Sequence, residues 1–276
     1  KFLQVRIVDP SFLLLIRRFL KAGYVDSGLQ VATEQGTPQG GNLNPMLSNI
    51  FLHYVLDLWF DRRVKRQVRG GCFLVRYADD FAVFAKSRRA AERIMASVSR
   101  YVTDRLHLVV NQEKSRVVAS EEFEYLGFAF VKSRATINVA AKSVRKFKQR
   151  IREITGRSRG ISMESRLKEL RSYVRGWMGY FGLASQLKLF DTLDQWIRRR
   201  IRMCYWKQWR RPKRRREMLI RLGVPRRQAI RHARSRKGYW HMAKTIASGV
   251  GMTNAWLAEQ GLVSMKTLWA KLAPLR

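Results

Sequence analysis

Cys72-Phe73-Leu74-Val75-Arg76-Tyr77-Ala78-Asp79-Asp80-Phe81-Ala82-Val83-Phe84-Ala85 is the stretch around which the chain is organised. Two β-prone, mostly apolar runs flank Tyr77-Ala78-Asp79-Asp80, a pattern that predicts a hairpin with two adjacent carboxylates at its tip. Neighbouring carboxylates repel each other and gain nothing from a core. A divalent cation offsets that cost, and the phosphates of a nucleotide can share the ion. Asp is also a common turn residue, so these four letters fit a plain polar turn as well. The rest of the chain has to decide.

Upstream, Asp9-Pro10 precedes an apolar-rich run, Ser11 to Leu20, that reads as a helix ended by Gly23. Val25 to Glu34 alternates as a short strand does. Gly36-Thr37-Pro38-Gln39-Gly40-Gly41 breaks both regular periods and reads as a loop. Asn44-Pro45 then caps a helix expected to run to about Lys65, apolar on most faces. Downstream of the hairpin, Ser87 caps a helix with one stripe through Ala91, Ile94, Met95, Val98 and Val102. Leu108-Val109-Val110 is a strand candidate, Asn111-Gln112-Glu113-Lys114-Ser115 a polar link, and Phe123 to Phe130 a strand or tight hairpin. Helices and strands mix without a βαβ repeat, which places the first half in the α+β class.

The style changes near Ala140. Val144, Phe147, Ile151 and Ile154 mark one helix; Leu167, Leu170, Val174, Trp177 and Phe181 a second; Phe190, Leu193, Ile197, Ile201 and Cys204 a third. Beyond them, Arg210-Arg211-Pro212-Lys213-Arg214-Arg215-Arg216 is a charge run, followed by short helical patterns. The formal net charge of +36 over 276 residues points to a polyanion, most simply nucleic acid. The charge is uneven: from Ala141 onward 35 Lys and Arg stand against 7 Asp and Glu, a net of +28, leaving +8 for residues 1–140. No window has the length of apolar sequence that a membrane span needs. Cys72 and Cys204 make neither a disulfide framework nor a zinc site, so the compartment reads as reducing.

Taken in order, Gly36 to Ile50, Leu56-Asp57, Tyr77-Ala78-Asp79-Asp80, Asn111 to Ser115 and Phe123 to Phe128 resemble the core of a group II intron-encoded reverse transcriptase and maturase. Lys142-Ser143-Val144, Tyr173 to Tyr180 and Arg236 to Trp240 resemble its thumb and maturase region. The resemblance implies part of a right-hand polymerase palm over 1–138, an all-helical thumb over 139–209 and a basic helical maturase region over 210–276. It implies RNA-directed DNA polymerisation and assistance to intron splicing and mobility. Asp79 and Asp80 are then the catalytic carboxylates, ligands of two Mg²⁺ ions in the complete site. Gln39, Gly40, Tyr77, Ala78 and Lys114 face template or nucleotide, and Leu126 and Gly127 grip the primer. Arg198, Arg199, Arg202, Trp209, Arg210, Arg211, Arg214, Arg215 and Arg216 bind RNA. Implied partners are intron RNA, an RNA template with DNA primer, deoxynucleoside triphosphates and target DNA, in a cytoplasmic, nucleoid-associated ribonucleoprotein.

Several readings stay open on the residues alone. Lys114 is equally a solvated lysine in a turn, Leu126-Gly127 equally part of a core strand, and Trp209 equally core. The family carries an earlier aspartate at a strand end, upstream of a segment like Phe2 to Leu20, with which this chain opens. The resemblance therefore expects the fingers and that aspartate in a further, N-terminal portion of the same protein, and no polymerisation by this chain alone. Asp9 and Asp26 lie in the wrong context to replace it. No endonuclease with bound zinc is legible in the sequence. An RNA-binding splicing factor without polymerisation and a retron- or defence-type reverse transcriptase are the competing readings, and the long basic tail disfavours the latter.

Overall fold

The computed structural model describes residues 1–26, 29–31, 41, 43–131 and 136–272. They form two compact units, Lys1–Ala119 and Ser120–Arg276. Helices and small antiparallel sheets combine as an α+β chain.

In the first unit, α1 (Pro10–Lys21) is capped as its sequence requires: the Asp9 carboxylate accepts from the backbone N–H of Ser11 at 2.8 Å and of Phe12 at 3.3 Å. Gly23, at φ +70°, follows its end. The Val25–Glu34 expectation becomes a hairpin of β1 (Tyr24–Asp26) and β2 (Leu29–Val31). Helix α2 (Asn44–Leu52) takes Asn44 as its first residue and Leu43 as its cap, one residue ahead of the expected start, with the Asn44 N–H bound to the Gly41 carbonyl at 3.1 Å. It continues through two widened π turns, His53–Asp57 and Phe60–Val64, into α3 (Lys65–Gln67). The widening has a sequence cause. Leu52, Leu56, Phe60 and Val64 recur every four residues, a repeat that drifts off a 3.6-residue helix and returns to one line when turns open to i→i+5. That line is the buried face. Met46 and Phe51 stay exposed, so the helix is buried along one stripe and not on most faces.

The stripe packs on β3 (Cys72–Tyr77) and β4 (Asp80–Ala85), which pair antiparallel from Cys72↔Ala85 to Tyr77↔Asp80. Helix α4 (Arg88–Leu106) closes the layer through Ile94 and Val98, and the Ser87 hydroxyl caps it by accepting from the Ala90 N–H. Trp59 stacks on Tyr101 at 3.8 Å, while the Tyr101 hydroxyl donates to the Val55 carbonyl. The strand expected at Leu108–Val110 does not form. His107 adopts a left-handed conformation, the Leu108 N–H turns back to the Val102 carbonyl, and Val109 is 97% exposed. Those residues follow the end of a helix and, among the described residues, meet no partner strand.

In the second unit, β5 (Glu124–Tyr125), β6 (Phe128–Val131) and β7 (Thr136–Val139) form one antiparallel sheet in that order. It belongs with the helices that follow it, because its turn is sewn to them. The Gly127 carbonyl accepts from the Ala140 N–H at 2.9 Å and the Ser143 hydroxyl at 3.1 Å, and the Tyr180 hydroxyl donates to the Leu126 carbonyl at 2.9 Å. The structural division therefore falls ahead of this sheet, whereas the boundary that the sequence placed at 138/139 lies within β7, at its last residue. Helices α5 (Ala141–Ile154), α6 (Met163–Phe181) and α7 (Leu187–Gln208) bury the stripes their spacing predicts, with Phe147, Ile151, Leu170, Phe190, Ile197 and Ile201 at the centre.

Among the described residues, six short helices complete the unit: α8 (Pro212–Arg221), α9 (Arg226–Ala233), α10 (Tyr239–Met242), α11 (Ile246–Gly251), α12 (Asn254–Glu259) and α13 (Met265–Lys271). They do not build a core of their own. Leu219, Met242, Ala247, Leu257 and Met265 join the cluster around α5–α7, so 209/210 separates no two cores. Trp206 is fully buried and donates its indole N–H to the Ser248 hydroxyl at 2.7 Å. Asp194 on α7, also buried, accepts from the Met265 N–H at 2.9 Å, the Lys266 N–H at 3.1 Å and the Ser264 hydroxyl at 2.7 Å. It thereby caps α13 from the middle of another helix. No helix of the described residues is long and apolar enough to cross a membrane.

Candidate functional site

The carboxylate turn is a two-residue connection. Tyr77 pairs with Asp80, leaving Ala78 and Asp79 at the tip. Ala78 has φ +54°, a left-handed conformation at the first central position of a tight hairpin that ordinarily selects Gly. Asp79 and Asp80 are both exposed.

Alternation along β3 sends Cys72, Leu74 and Arg76 to the face that packs inward, so a guanidinium arrives where a charge needs partners. It finds them on the helix. Arg76 Nε and Nη2 each donate at 2.8 Å to the two carboxylate oxygens of Asp57. Its Nη1 donates to the Asn49 side-chain oxygen at 2.9 Å and to the Ala78 carbonyl at 2.7 Å. The side chain keeps only 11% of its surface exposed. Hydrogen bonds and charge from Arg76 hold the Asp57 carboxyl below its ordinary value, against the opposing pull of burial.

Oxygen donors on an exposed turn suit Mg²⁺. Asp57 is committed to Arg76, Asp9 caps α1, and among the described residues no group of three His, Cys, Asp or Glu comes together. The turn thus fits a divalent ion with two carboxylates and leaves the rest of its shell to water, phosphate or further ligands. Gln39 and Gly40 lie outside the described residues. Lys114 sits on a different turn, where its N–H donates to the Asn111 side chain at 3.1 Å and its own side chain is exposed.

Leu126 and Gly127 form the β5–β6 turn with φ +51° and +80°. A Cβ on Gly127 would come within 2.8 Å of the Ser143 hydroxyl and 3.2 Å of the Phe181 ring. The glycine is thus required by packing against α5 and α6.

The basic surface is divided. Trp209 is only 4% exposed, packed with Tyr205 and Trp206, so its ring is core and offers no face to a base. Arg215 turns inward as well: its Nε donates to the Trp209 carbonyl at 3.0 Å and its guanidinium lies 5.5 Å from the Tyr239 ring centroid. Arg210, Arg211, Arg214 and Arg216 are exposed. Arg198, Arg199 and Arg202 line an open groove of about 580 Å³ together with Trp196, Trp240 and Lys244. Arg199 lies 3.9 Å over the Trp240 ring, and Arg202 is anchored by donating to the Met252 carbonyl at 2.9 Å.

Residues 2–130 match the model of the reverse transcriptase (RNA-dependent DNA polymerase) family, and residues 144–222 match the group II intron maturase-specific domain. The two matches fall in this order on one chain and bracket the carboxylate turn and helices α5–α8. The chain belongs to the group II intron reverse transcriptases and maturases. Among curated relatives of this group II intron protein, it is 29% identical to protein YkfC of Escherichia coli over 49% of this chain and 42% of that protein. It is 27% identical to the group II intron-encoded protein LtrA of Lactococcus lactis, over 46% of this chain and 31% of LtrA. A putative COX1/OXI3 intron 2 protein of Saccharomyces cerevisiae matches at 24% identity over 46% of this chain and 21% of its own length. The chain thus spans less than half the length of each of these relatives.

For this reverse transcriptase and maturase chain, the sequence reading gave no role to Arg76, Asn49 or Tyr180. One signal was available: an arginine at an inward position of an otherwise apolar strand announces a buried partner. The pairing of Arg199 with Trp240 spans 41 residues and left no local trace.

Proposed function

We propose that this chain is the catalytic and RNA-binding part of an RNA-directed DNA polymerase and intron maturase. The observation that carries the reading is a pair of exposed carboxylates on a braced hairpin turn, within the reverse transcriptase match and ahead of a basic helical region. In the complete protein Asp79 and Asp80 hold Mg²⁺, Asp79 most directly. The ions supply charge stabilisation at the phosphates and activation of a primer 3′-hydroxyl. Tyr77 and Ala78 set the height of the turn against an incoming deoxynucleoside triphosphate, while Gln39, Gly40 and Lys114 belong to the template and nucleotide surface. Leu126 and Gly127 present the β5–β6 turn toward the primer.

Residues 1–138 then act as part of a palm, 139–209 as a thumb and 210–276 as the end of the maturase region, whatever the packing of their cores. The exposed Arg210, Arg211, Arg214 and Arg216 and the half-buried Arg198 and Arg199 engage phosphates of intron RNA, and the exposed indole of Trp240 offers a stacking face. Target DNA is the second nucleic acid that this role requires.

Primer extension on an RNA template by the complete protein, with Asp79→Asn beside it, tests the assignment. Extension by the wild type and loss of at least about 10²-fold in the variant is the expected result. An Asp79→Asn variant that extends like wild type removes the polymerase reading. RNA binding without extension by either protein leaves a splicing factor.

A further inference from the structure

Tight turns that place a non-glycine residue at positive φ persist only where their surroundings hold them. Ala78 is such a residue, and it directly precedes the two carboxylates. Its carbonyl accepts a 2.7 Å hydrogen bond from Arg76, two residues back on the strand. The guanidinium is itself immobilised, because the carboxylate of Asp57 takes its Nε and Nη2 in a two-pronged pair and Asn49 takes Nη1. Asn49 lies on α2 and Asp57 on the first π turn of the same continuous helix. The widened turns set the phase at which both side chains meet one arginine.

We propose that Arg76 is the positioning residue of the carboxylate turn. Braced on Asp57 and Asn49, it holds the carbonyl of Ala78, and with it the left-handed backbone that presents Asp79 and Asp80 side by side. The mechanical part stands on the contacts alone; its catalytic consequence rests on the polymerase reading. A lysine cannot replace it. An ammonium is a point charge without the planar fork, so it cannot pair both carboxylate oxygens and reach the turn carbonyl at once. The turn in Arg76→Lys keeps its charge and loses its brace.

Two measurements on the same proteins separate the parts. Hydrogen exchange of the peptide covering Tyr77 to Phe81 should accelerate about tenfold in Arg76→Lys, while the buried face of α4 keeps its protection. Asn49→Ala, which removes one acceptor and leaves the ion pair, should give a smaller acceleration in the same peptide. It carries the exchange test if Arg76→Lys loses the protection of α4. Primer extension by the complete protein should fall about 10–100-fold in kcat for Arg76→Lys. The KM for deoxynucleoside triphosphate and the affinity for primer–template should stay within about threefold. Asp57→Asn should share the kcat defect, and Arg76→Lys with Asp57→Asn should be no worse than Arg76→Lys alone, since the two act as one unit. Wild-type exchange at the turn overturns the proposal, as does a defect that resides in KM or two defects that multiply. If the turn loosens while the wild-type protein fails to extend primers, the brace stands and the polymerase reading falls.

Discussion

Replacing Arg211, Arg214 and Arg216 together by Ala should flatten the salt dependence of RNA binding. All three are exposed at the start of α8, and the ion pair that Arg214 makes with Glu217 is 3.9 Å long and open to solvent. Each phosphate contact contributes about 0.7–0.9 to the slope of log affinity against log salt, so losing three lowers it by about 2–2.7. Between about 50 and 200 mM salt, the triple variant should therefore lose about 20–40-fold less affinity than the wild type. Arg215 lies between Arg214 and Arg216 in sequence but should behave differently. Its guanidinium serves the Trp209 carbonyl and stands 5.8 Å from the Trp206 ring centroid. Arg215→Ala should leave the slope within about 0.3 and lower the melting temperature instead. Fluorescence anisotropy with a structured intron RNA across a salt series measures both. A triple variant with a wild-type slope, or an Arg215→Ala slope lower by about one, refutes this division of the surface.

Gly127→Ala should destabilise the second unit by about 2–4 kcal/mol, from the left-handed backbone and the collision with Ser143 and Phe181. Urea unfolding followed by tryptophan fluorescence reads it, since seven of the eight tryptophans lie beyond Ala119. Trp206→Phe should cost about 1–3 kcal/mol by stripping the Ser248 hydroxyl of its indole donor, with intron RNA affinity unchanged when binding is measured well below the melting temperature. The depressed carboxyl of Asp57 gives stability that is present above its ordinary value of 3.8 and is lost as pH falls through the lower folded value. The stability gap between wild type and Asp57→Asn should therefore be level at neutral pH and close below pH 3.8, as followed by circular dichroism in denaturant.

Helix stripes were the most legible part of the chain. Phe147, Ile151 and Ile154, or Phe190, Leu193, Ile197 and Ile201, announce themselves by spacing because a buried helical face is a local pattern. The hairpin at Tyr77–Asp80 was legible for a similar reason, with a β-prone, mostly apolar run on each side of a polar tip. What escaped depends on distant partners. Thr136–Val139 becomes a strand by pairing with β6, and Leu108–Val110, which looks more like one, has no strand beside it among the described residues. Trp209 reads as a stacking residue because arginines follow it, yet its side chain answers to Tyr205 and Trp206 behind it. The site was readable as carboxylates and unreadable as a braced turn, since Asn49 and Asp57 stand 27 and 19 residues from Arg76.

The capping of α13 by Asp194 changes how C-terminal deletions should be understood. A stop codon anywhere before Ser264 strips the Asp194 carboxylate, in α7, of these three donors. The same helix carries Arg198, Arg199 and Arg202, four to eight positions further on. A deletion mutant that no longer splices would therefore say little about whether its missing residues touch the intron. Its defect would begin with a misfolded platform, and a temperature-sensitive phenotype rescued by Asp194→Asn or by growth in the cold would be its genetic signature.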